Sequence, residues 1–373
     1  MSATSTSNRA LVLGRGKSGE AAAAELRRLG FDVEFAEDVA LVVASPGVHV
    51  KSELELGCEE LKRRGWRLLA VTGSKGKSSV VKVVADAINL AGGRAVACGN
   101  YGRPVCDLIG EEPGWAVVEV SSFMLETTAL AGDTFEAAAI LNIQEDHLDR
   151  HGSPDVYRAL KLRLLSFAKC GIVGAEDIEE SKAARFGALL EGSYFDNAIL
   201  RGNGMIAAEL MSLAGLADEA IAKAFREFAP LPHRFSEVGV FGGVRCIDDS
   251  KATSLAALAA GVEMAGHDVL LIAGGLAKGD DPKSVIPHLT KRAKKVYLIG
   301  RCAEVFSAAW SGAVDCEICE TMDRAVAGAM RDAVKGDAVL LSPGTASFDQ
   351  FANFGRRGDV FAELVKKEGQ KKK

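Results

Sequence analysis

An apolar run at residues 68–71 breaks into Thr72-Gly73-Ser74-Lys75-Gly76-Lys77-Ser78-Ser79, and residues 78–91 then continue with helical spacing. A buried strand, a glycine turn and a helix in that order aim backbone N–H groups and a helix N-terminus at one point, which suits phosphate. Lys77 adds a mobile positive charge for the outer phosphates, and the Ser78 hydroxyl is a magnesium ligand type. The spacing Gly-x-x-Gly-Lys-Ser is shorter than the general phosphate-loop pattern. An ordinary glycine turn with a solvated lysine has a similar composition, but the order of elements favours a nucleoside triphosphate site.

With 373 residues, the chain suggests two or three domains at roughly 150 residues each. A formal net charge of −5 argues against the basic face that nucleic-acid binding uses. Of the eight cysteines only Cys316 and Cys319 are closely spaced, and no second pair completes a zinc site. They read as buried or idle thiols of a reducing compartment. Residues 1–8 lack an apolar signal core, and no run is long enough to span a bilayer. The expectation is a soluble cytoplasmic protein with no membrane insertion.

Before the phosphate turn, a short strand at 9–13 leads into Gly14-Arg15-Gly16-Lys17-Ser18-Gly19 and a helical run to Leu29. These glycines allow a diphosphate to approach or a strand to pack tightly on a helix, and the sequence leaves both open. Strand-like stretches follow at 32–35 and 41–44, then a turn at Ser45-Pro46-Gly47 and a helix over 53–64. After the turn, a strand at 95–98 ends at Gly99-Asn100, and one at 115–120 carries Glu119 at its tail. A carboxylate there is placed to hold magnesium or to pair with a surface lysine. A third strand at 137–142 delivers Asn142-Ile143-Gln144-Glu145-Asp146-His147-Leu148-Asp149-Arg150-His151, whose acids and histidines suit a metal or a nucleophile without naming a chemistry. Lys161 follows on a helix among leucines, either part-buried or snorkelling to water.

Signals weaken over 175–203, and helices are expected at 207–213 and 219–228. Beyond Pro230-Leu231-Pro232-His233-Arg234, strands at 237–241 and 244–247 flank Gly242-Gly243 as a hairpin. Alternating strands and helices then predict a second parallel sheet, with Lys251, Lys278 and Ser347 at strand ends, a set suited to carboxylates. The lysine-rich stretch 366–373 reads as solvated and disordered.

Taken in order, residues 72–79, 119–126, 142–151, 157–163, 231–235, 249–253 and 342–351 resemble the Mur ligase family, in the pattern of its D-glutamate-adding branch. The resemblance implies an α/β protein of three domains. These are a compact Rossmann-like N-terminal domain for a UDP-sugar (1–66), a central P-loop-type ATPase domain (67–234) and a C-terminal Rossmann-like domain for the amino acid (235–373). It implies ATP and two Mg²⁺ ions as cofactors, UDP-N-acetylmuramoyl-L-alanine and D-glutamate as substrates, and a monomer. ATP would be held by Gly73, Ser74, Lys75, Gly76, Lys77, Ser78, Ser79, Asn203, Arg234 and Asp249. Ser78 and Glu119 would hold one ion, with His147 and a carbamylated Lys161 at a second. Lys77, Lys161, His147 and Glu119 would form the catalytic set. Gly14, Lys17, Ser18, Ser45, Asn100 and Ser121 would hold the sugar substrate. Lys251, Thr253, Lys278, Ser347, Phe348 and Phe354 would form the D-glutamate pocket.

Three features depart from that pattern. Lys75 stands where the family usually has Asn, Gly202-Asn203-Gly204-Met205-Ile206 replaces a His-Asn-x-x-Asn segment, and the chain is short around residue 38, before 68 and over 175–202. Two alternatives therefore stay open: the same ligase chemistry with another amino acid or a folate-like acceptor, and a non-catalytic nucleotide- or UDP-sugar-binding relative.

Overall fold

A computed structural model describes residues 9–36, 51–144 and 148–372. Ser45 and His147 lie outside the described residues, as does the strand expected at 41–44. The chain divides into two compact units, Met1–Phe228 and Ala229–Lys373.

In the first unit, β1 (Arg9–Leu13) and β2 (Asp32–Ala36) pair in parallel and are joined by the helix Lys17–Arg28. Ala21 and Ala22 of that helix share a core with Leu54, Cys58 and Leu61 of the helix Glu53–Arg63 and with Leu108 and Ile109. The N-terminal strand pair is thus built onto the next layer of the unit. That layer comprises β3 (Arg67–Thr72), β4 (Ala95–Gly99), β5 (Trp115–Glu119), β6 (Ala137–Ile140) and β7 (Gly171–Val173). They pair in the order β4-β5-β3-β6-β7, every pairing parallel.

Parallel strands covered on both faces need continuous apolar runs, which explains why 68–71 does not alternate. Leu69 and Val71 face the core with Val80, Val81 and Val84, whereas Leu68 and Ala70 face the core with Leu61 and Val105. The chain leaves β3 for β4 on one side and later enters β6 on the other. The phosphate turn therefore sits at a switch in strand order, where open α/β sheets bind ligands. In the stretch of weak sequence signal, the structure forms the helix Glu180–Leu189 and begins the next helix at Arg201, placing Asn203 in its first turn.

The second unit contains β8 (Ser236–Phe241), β9 (Val244–Asp248), β10 (Val269–Gly274), β11 (Ala293–Ile299), β12 (Cys316–Glu320) and β13 (Ala338–Leu341), ordered β12-β11-β10-β13-β9-β8. All pairings are parallel except the β8–β9 hairpin. Gly242 (φ 59°) and Gly243 (φ 80°) make its turn, a left-handed pair that side chains resist. Cys316 and Cys319 lie three positions apart on β12, so their side chains leave opposite faces of the sheet.

The expected disorder of the lysine-rich end is incorrect. Residues Phe354–Gly369 form a helix, followed by a short 3₁₀ turn at Gln370–Lys372. Phe361 and Val365, both fully buried, give it a core face with Val339 and Leu341. Asn353 caps its start, and Lys366 and Lys367 sit in its last turn, where positive charge favours the helix dipole.

Candidate active site

The turn after β3 is held by its neighbours at atomic detail. Gly73 (φ 150°) and Gly76 (φ 87°) adopt conformations that favour glycine, and a Cβ on Gly76 would collide with the Asn203 amide. Asn142, just beyond β6, grips the turn from the side. Its Oδ1 accepts the Lys75 N–H at 2.9 Å, and its Nδ2 donates to the Lys75 carbonyl at 3.0 Å. The Ser74 hydroxyl donates to the Gln144 carbonyl at 2.8 Å and lies 3.1 Å from the Tyr157 hydroxyl. The turn is therefore set before any ligand arrives, which is the condition for electrostatic preorganisation.

Two ammonium groups converge on it. Lys77 Nζ donates to the Gly73 carbonyl at 2.7 Å and the Ser74 carbonyl at 3.1 Å. Lys161, 1% exposed, donates to the same Gly73 carbonyl at 3.0 Å, with its nitrogen 4.4 Å from the Tyr157 ring centroid. Lys161 is thus buried at the turn rather than snorkelling. The register of β3 and β5 sets Glu119 opposite Val71, beside the start of the turn. Glu119 is buried, its Oε1 accepts from Asn100 Nδ2 at 2.8 Å, and its Oε2 has no hydrogen-bond partner among the described residues. A buried carboxylate oxygen left without a donor is costly and suits a hard cation. Among the described residues no cluster of three His, Cys, Asp or Glu side chains is placed to hold a metal. Magnesium needs only one or two protein oxygens beside water and phosphate, so Glu119, with the Ser78 hydroxyl in the first turn of the helix that follows the glycines, fits that ion.

Asn100 follows β4 and hydrogen-bonds Glu119 across the sheet, and Ser121 lies two residues beyond Glu119 at the end of β5. The Ser121 hydroxyl accepts the Met124 N–H at 3.3 Å and caps the helix Ser122–Thr127. Gly14 (φ 84°) lies in the exposed turn after β1, and Lys17 and Ser18 are exposed in the first turn of the helix Lys17–Arg28. A Cβ on Gly19 would collide with the Gly14 carbonyl, so close packing of strand on helix accounts for that glycine.

In the second unit the loops after β9, β10 and β13, which are adjacent strands, lie at one edge of the sheet and carry Lys251, Lys278 and Ser347. Leu276 and Ala346 exchange backbone hydrogen bonds of 2.9 and 3.1 Å, tying two of these loops together. Arg357, fully buried, binds the other pairing through the Ser250 hydroxyl and carbonyl and the Thr345 carbonyl. Desolvation lowers its pKa to about 10, so it stays charged at neutral pH. Lys251 Nζ sits 3.8 Å above the Phe354 ring, a cation–π contact. Thr253 is half-buried, Ser347 is buried and Lys278 is exposed, as is Phe348 at 70%.

Asp249 accepts the Ser342 hydroxyl at 2.9 Å and the Phe235 N–H at 3.1 Å. Burial raises its pKa to about 7 despite those bonds and the nearby Arg234. Sequence reasoning assigns no role to Asn142 as a clamp or to Arg357. Asn142 has a signal, an amide directly after an apolar strand, whereas nothing in the sequence around Arg357 marks its burial.

Residues 71–187 match the Mur ligase middle domain, and residues 233–344 match the Mur ligase glutamate ligase domain. The chain is 33% identical to a UDP-N-acetylmuramoylalanine–D-glutamate ligase of Nitratidesulfovibrio vulgaris (strain DP4) over 419 aligned positions, covering 95% of each chain. It is 34% identical to the enzyme of that name from Acidobacterium capsulatum over 446 positions, again covering 95% of each. Both alignments exceed 373 residues, so both relatives carry internal segments with no counterpart here. Among solved structures, MurF ligase from Thermotoga maritima in complex with ADP gives a TM-score of 0.62 at 15% identity, over 98% of this chain and 95% of that one. The bifunctional folylpolyglutamate synthase/dihydrofolate synthase of Yersinia pestis CO92 gives 0.57 at 16% identity, over 94% and 100%. Those structures share the fold, and the sequence relationships go further: the chain belongs to the Mur ligase family.

Proposed function

We propose that the protein is an ATP-dependent ligase that adds D-glutamate to UDP-N-acetylmuramoyl-L-alanine in peptidoglycan precursor synthesis. The observation that carries this reading is the convergence of Lys77 and Lys161 on one preset turn beside buried Glu119, in a chain whose relatives bear that name over nearly their whole length. In three-domain terms, residues 1–66 would hold the sugar nucleotide, 67–234 the ATP and 235–373 the amino acid.

The chemistry follows from a carboxylate being a poor acylating agent. The L-alanyl carboxylate oxygen attacks the γ-phosphorus of ATP, the bond to the β,γ-bridging oxygen breaks and ADP leaves. The D-glutamate amine then attacks the acyl phosphate carbon, loses a proton and expels inorganic phosphate. Lys77, released from the Gly73 and Ser74 carbonyls, would move its charge to the β- and γ-phosphates, and the N-terminus of the helix that begins at Lys77 would face the phosphate chain. Mg²⁺, held by Ser78 and Glu119 with a second ion at His147 and Lys161, would reduce repulsion between the two reacting anions.

An ammonium cannot ligate a cation, so Lys161 would serve the second ion as a carbamate, formed when its neutral amine adds to CO₂ and loses a proton. Asn100 and Ser121, with Gly14, Lys17, Ser18 and Ser45, would hold the sugar substrate. Asn203, Arg234 and Asp249 would contact ATP. Lys251, Thr253, Lys278, Ser347, Phe348 and Phe354 would form the amino-acid pocket, where ammonium and hydroxyl groups pair with carboxylates.

An isotope experiment tests the mechanism. With ¹⁸O in the substrate's L-alanyl carboxylate, one ¹⁸O must appear in the released phosphate. Phosphate without label would exclude the acyl phosphate. For Lys161, a ¹³C carbamate resonance from labelled bicarbonate is expected, absent in Lys161→Ala.

A further inference from the structure

Outside the groups given roles above, the first unit contains a buried hydroxyl–imidazole–carboxylate series. His151 ends the short helix Leu148–His151, and its side chain is 1% exposed. Its Nε2 lies 3.0 Å from the Ser122 hydroxyl, and its Nδ1 lies 3.2 Å from Glu126 Oε1. Arg150 holds Glu126 by two contacts, 3.2 and 2.8 Å, and keeps its carboxyl below the usual carboxylate range. An ionised carboxylate only accepts, so Nδ1 of His151 carries a proton toward Glu126, and in the neutral ring Nε2 then accepts from Ser122. The imidazole also packs between Phe123 and Tyr157, with ring centroids 5.4 Å away on each side.

The series has the order of a hydrolytic triad, but Ser122 is 4% exposed in the first turn of its helix. A hydroxyl closed off from substrate does not attack. What the series joins is more informative. On one side is the helix Ser122–Thr127, whose cap is Ser121 and which follows Glu119. On the other is the segment that leads into the helix Pro154–Arg163, which carries Tyr157 and Lys161. Arg163 fastens the far end of the same two helices, donating to the Leu125 carbonyl at 2.9 Å.

We propose that His151 is a positioning residue of the ligase centre. Through Ser122 and Glu126 it fixes the substrate-bearing Ser121 segment against the Lys161 helix, so that it sets affinity for the sugar-peptide substrate more than affinity for ATP. This rests on the function proposed above.

The test uses the full chain with His151→Phe, which keeps a ring between Phe123 and Tyr157 and removes both polar contacts, and with Ser122→Ala, which removes one. Binding of UDP-N-acetylmuramoyl-L-alanine and of ADP is measured by calorimetry, with a thermal melt of each variant. The expected result is a loss of sugar-substrate affinity of roughly tenfold in His151→Phe, the scale of one or two buried hydrogen bonds, with ADP affinity within about twofold of wild type. Ser122→Ala loses less, and the double variant is no worse than His151→Phe because both act through one contact. Unchanged sugar-substrate affinity in both variants would overturn the proposal. Equal losses for sugar substrate and ADP, following a lowered melting temperature, would overturn it too, since a general prop moves both. A wild type that binds ADP but no sugar substrate would instead sink the functional reading, and this proposal with it.

Discussion

The Gly73 carbonyl accepts from both Lys77 and Lys161, so one backbone oxygen positions the two amines to which the proposed mechanism gives catalytic roles. Lys77→Ala should lower kcat/KM by at least about 10²-fold, the scale of losing a preorganised charge at a transferring phosphoryl group. Because Lys77 also holds the Gly73 and Ser74 carbonyls, a modest fall in melting temperature, corresponding to about 1–2 kcal/mol of stability, should accompany the loss; steady-state kinetics beside a thermal melt checks both. Asn142→Ala removes the two bonds to the Lys75 backbone and should cost about 1–3 kcal/mol, read by denaturant unfolding, together with a raised KM for ATP.

Asp249 predicts a pH effect. Its native pKa, about 7, lies above its ordinary value of 3.8, so between those limits the native state binds more protons than the unfolded state. The contribution of Asp249 to stability is therefore fully present at the acid end and is lost as pH rises through 7, by up to about 4 kcal/mol. Asp249→Asn should flatten that slope in unfolding curves taken from pH 5 to about 8; an unchanged slope would count against it. The phosphate turn was legible because strand, glycines, lysine and helix are contiguous. Lys161 was not settled by its own sequence, because its burial comes from packing beside Tyr157 and Gly73, 88 residues away along the chain.

Among elements, the strands on either side of the phosphate turn could be read directly, since each is an uninterrupted apolar run in a doubly covered sheet. Edge and terminal elements were harder. β12 has a mixed burial pattern, with exposed Glu320 beside buried Cys319, so periodicity is weak there. The C-terminal helix was obscured by its lysines, yet Phe361 and Val365 sit four residues apart on one buried face. Phe361→Ala should destabilise the second unit by about 3–5 kcal/mol. Unfolding monitored by denaturant gives that number directly, and a cost below about 1 kcal/mol would mean the helix does not complete the core.

For the whole molecule, the proposed chemistry requires ATP and sugar substrate held by one unit to meet an amino acid held by the other. Small-angle scattering should then show a smaller radius of gyration with an ATP analogue and sugar substrate than without. No change on saturation would argue against closure as a step.

The relatives' extra internal segments make substrate identity the central question, because a shorter chain must still grip the sugar nucleotide. The decisive measurement is phosphate release with ATP, Mg²⁺ and UDP-N-acetylmuramoyl-L-alanine, comparing D-glutamate with L-glutamate, meso-diaminopimelate and L-lysine. The account predicts release that requires both the sugar substrate and D-glutamate and that disappears in Lys161→Ala. Release with another amino acid in preference to D-glutamate, or none with any of them despite ATP binding, would contradict it.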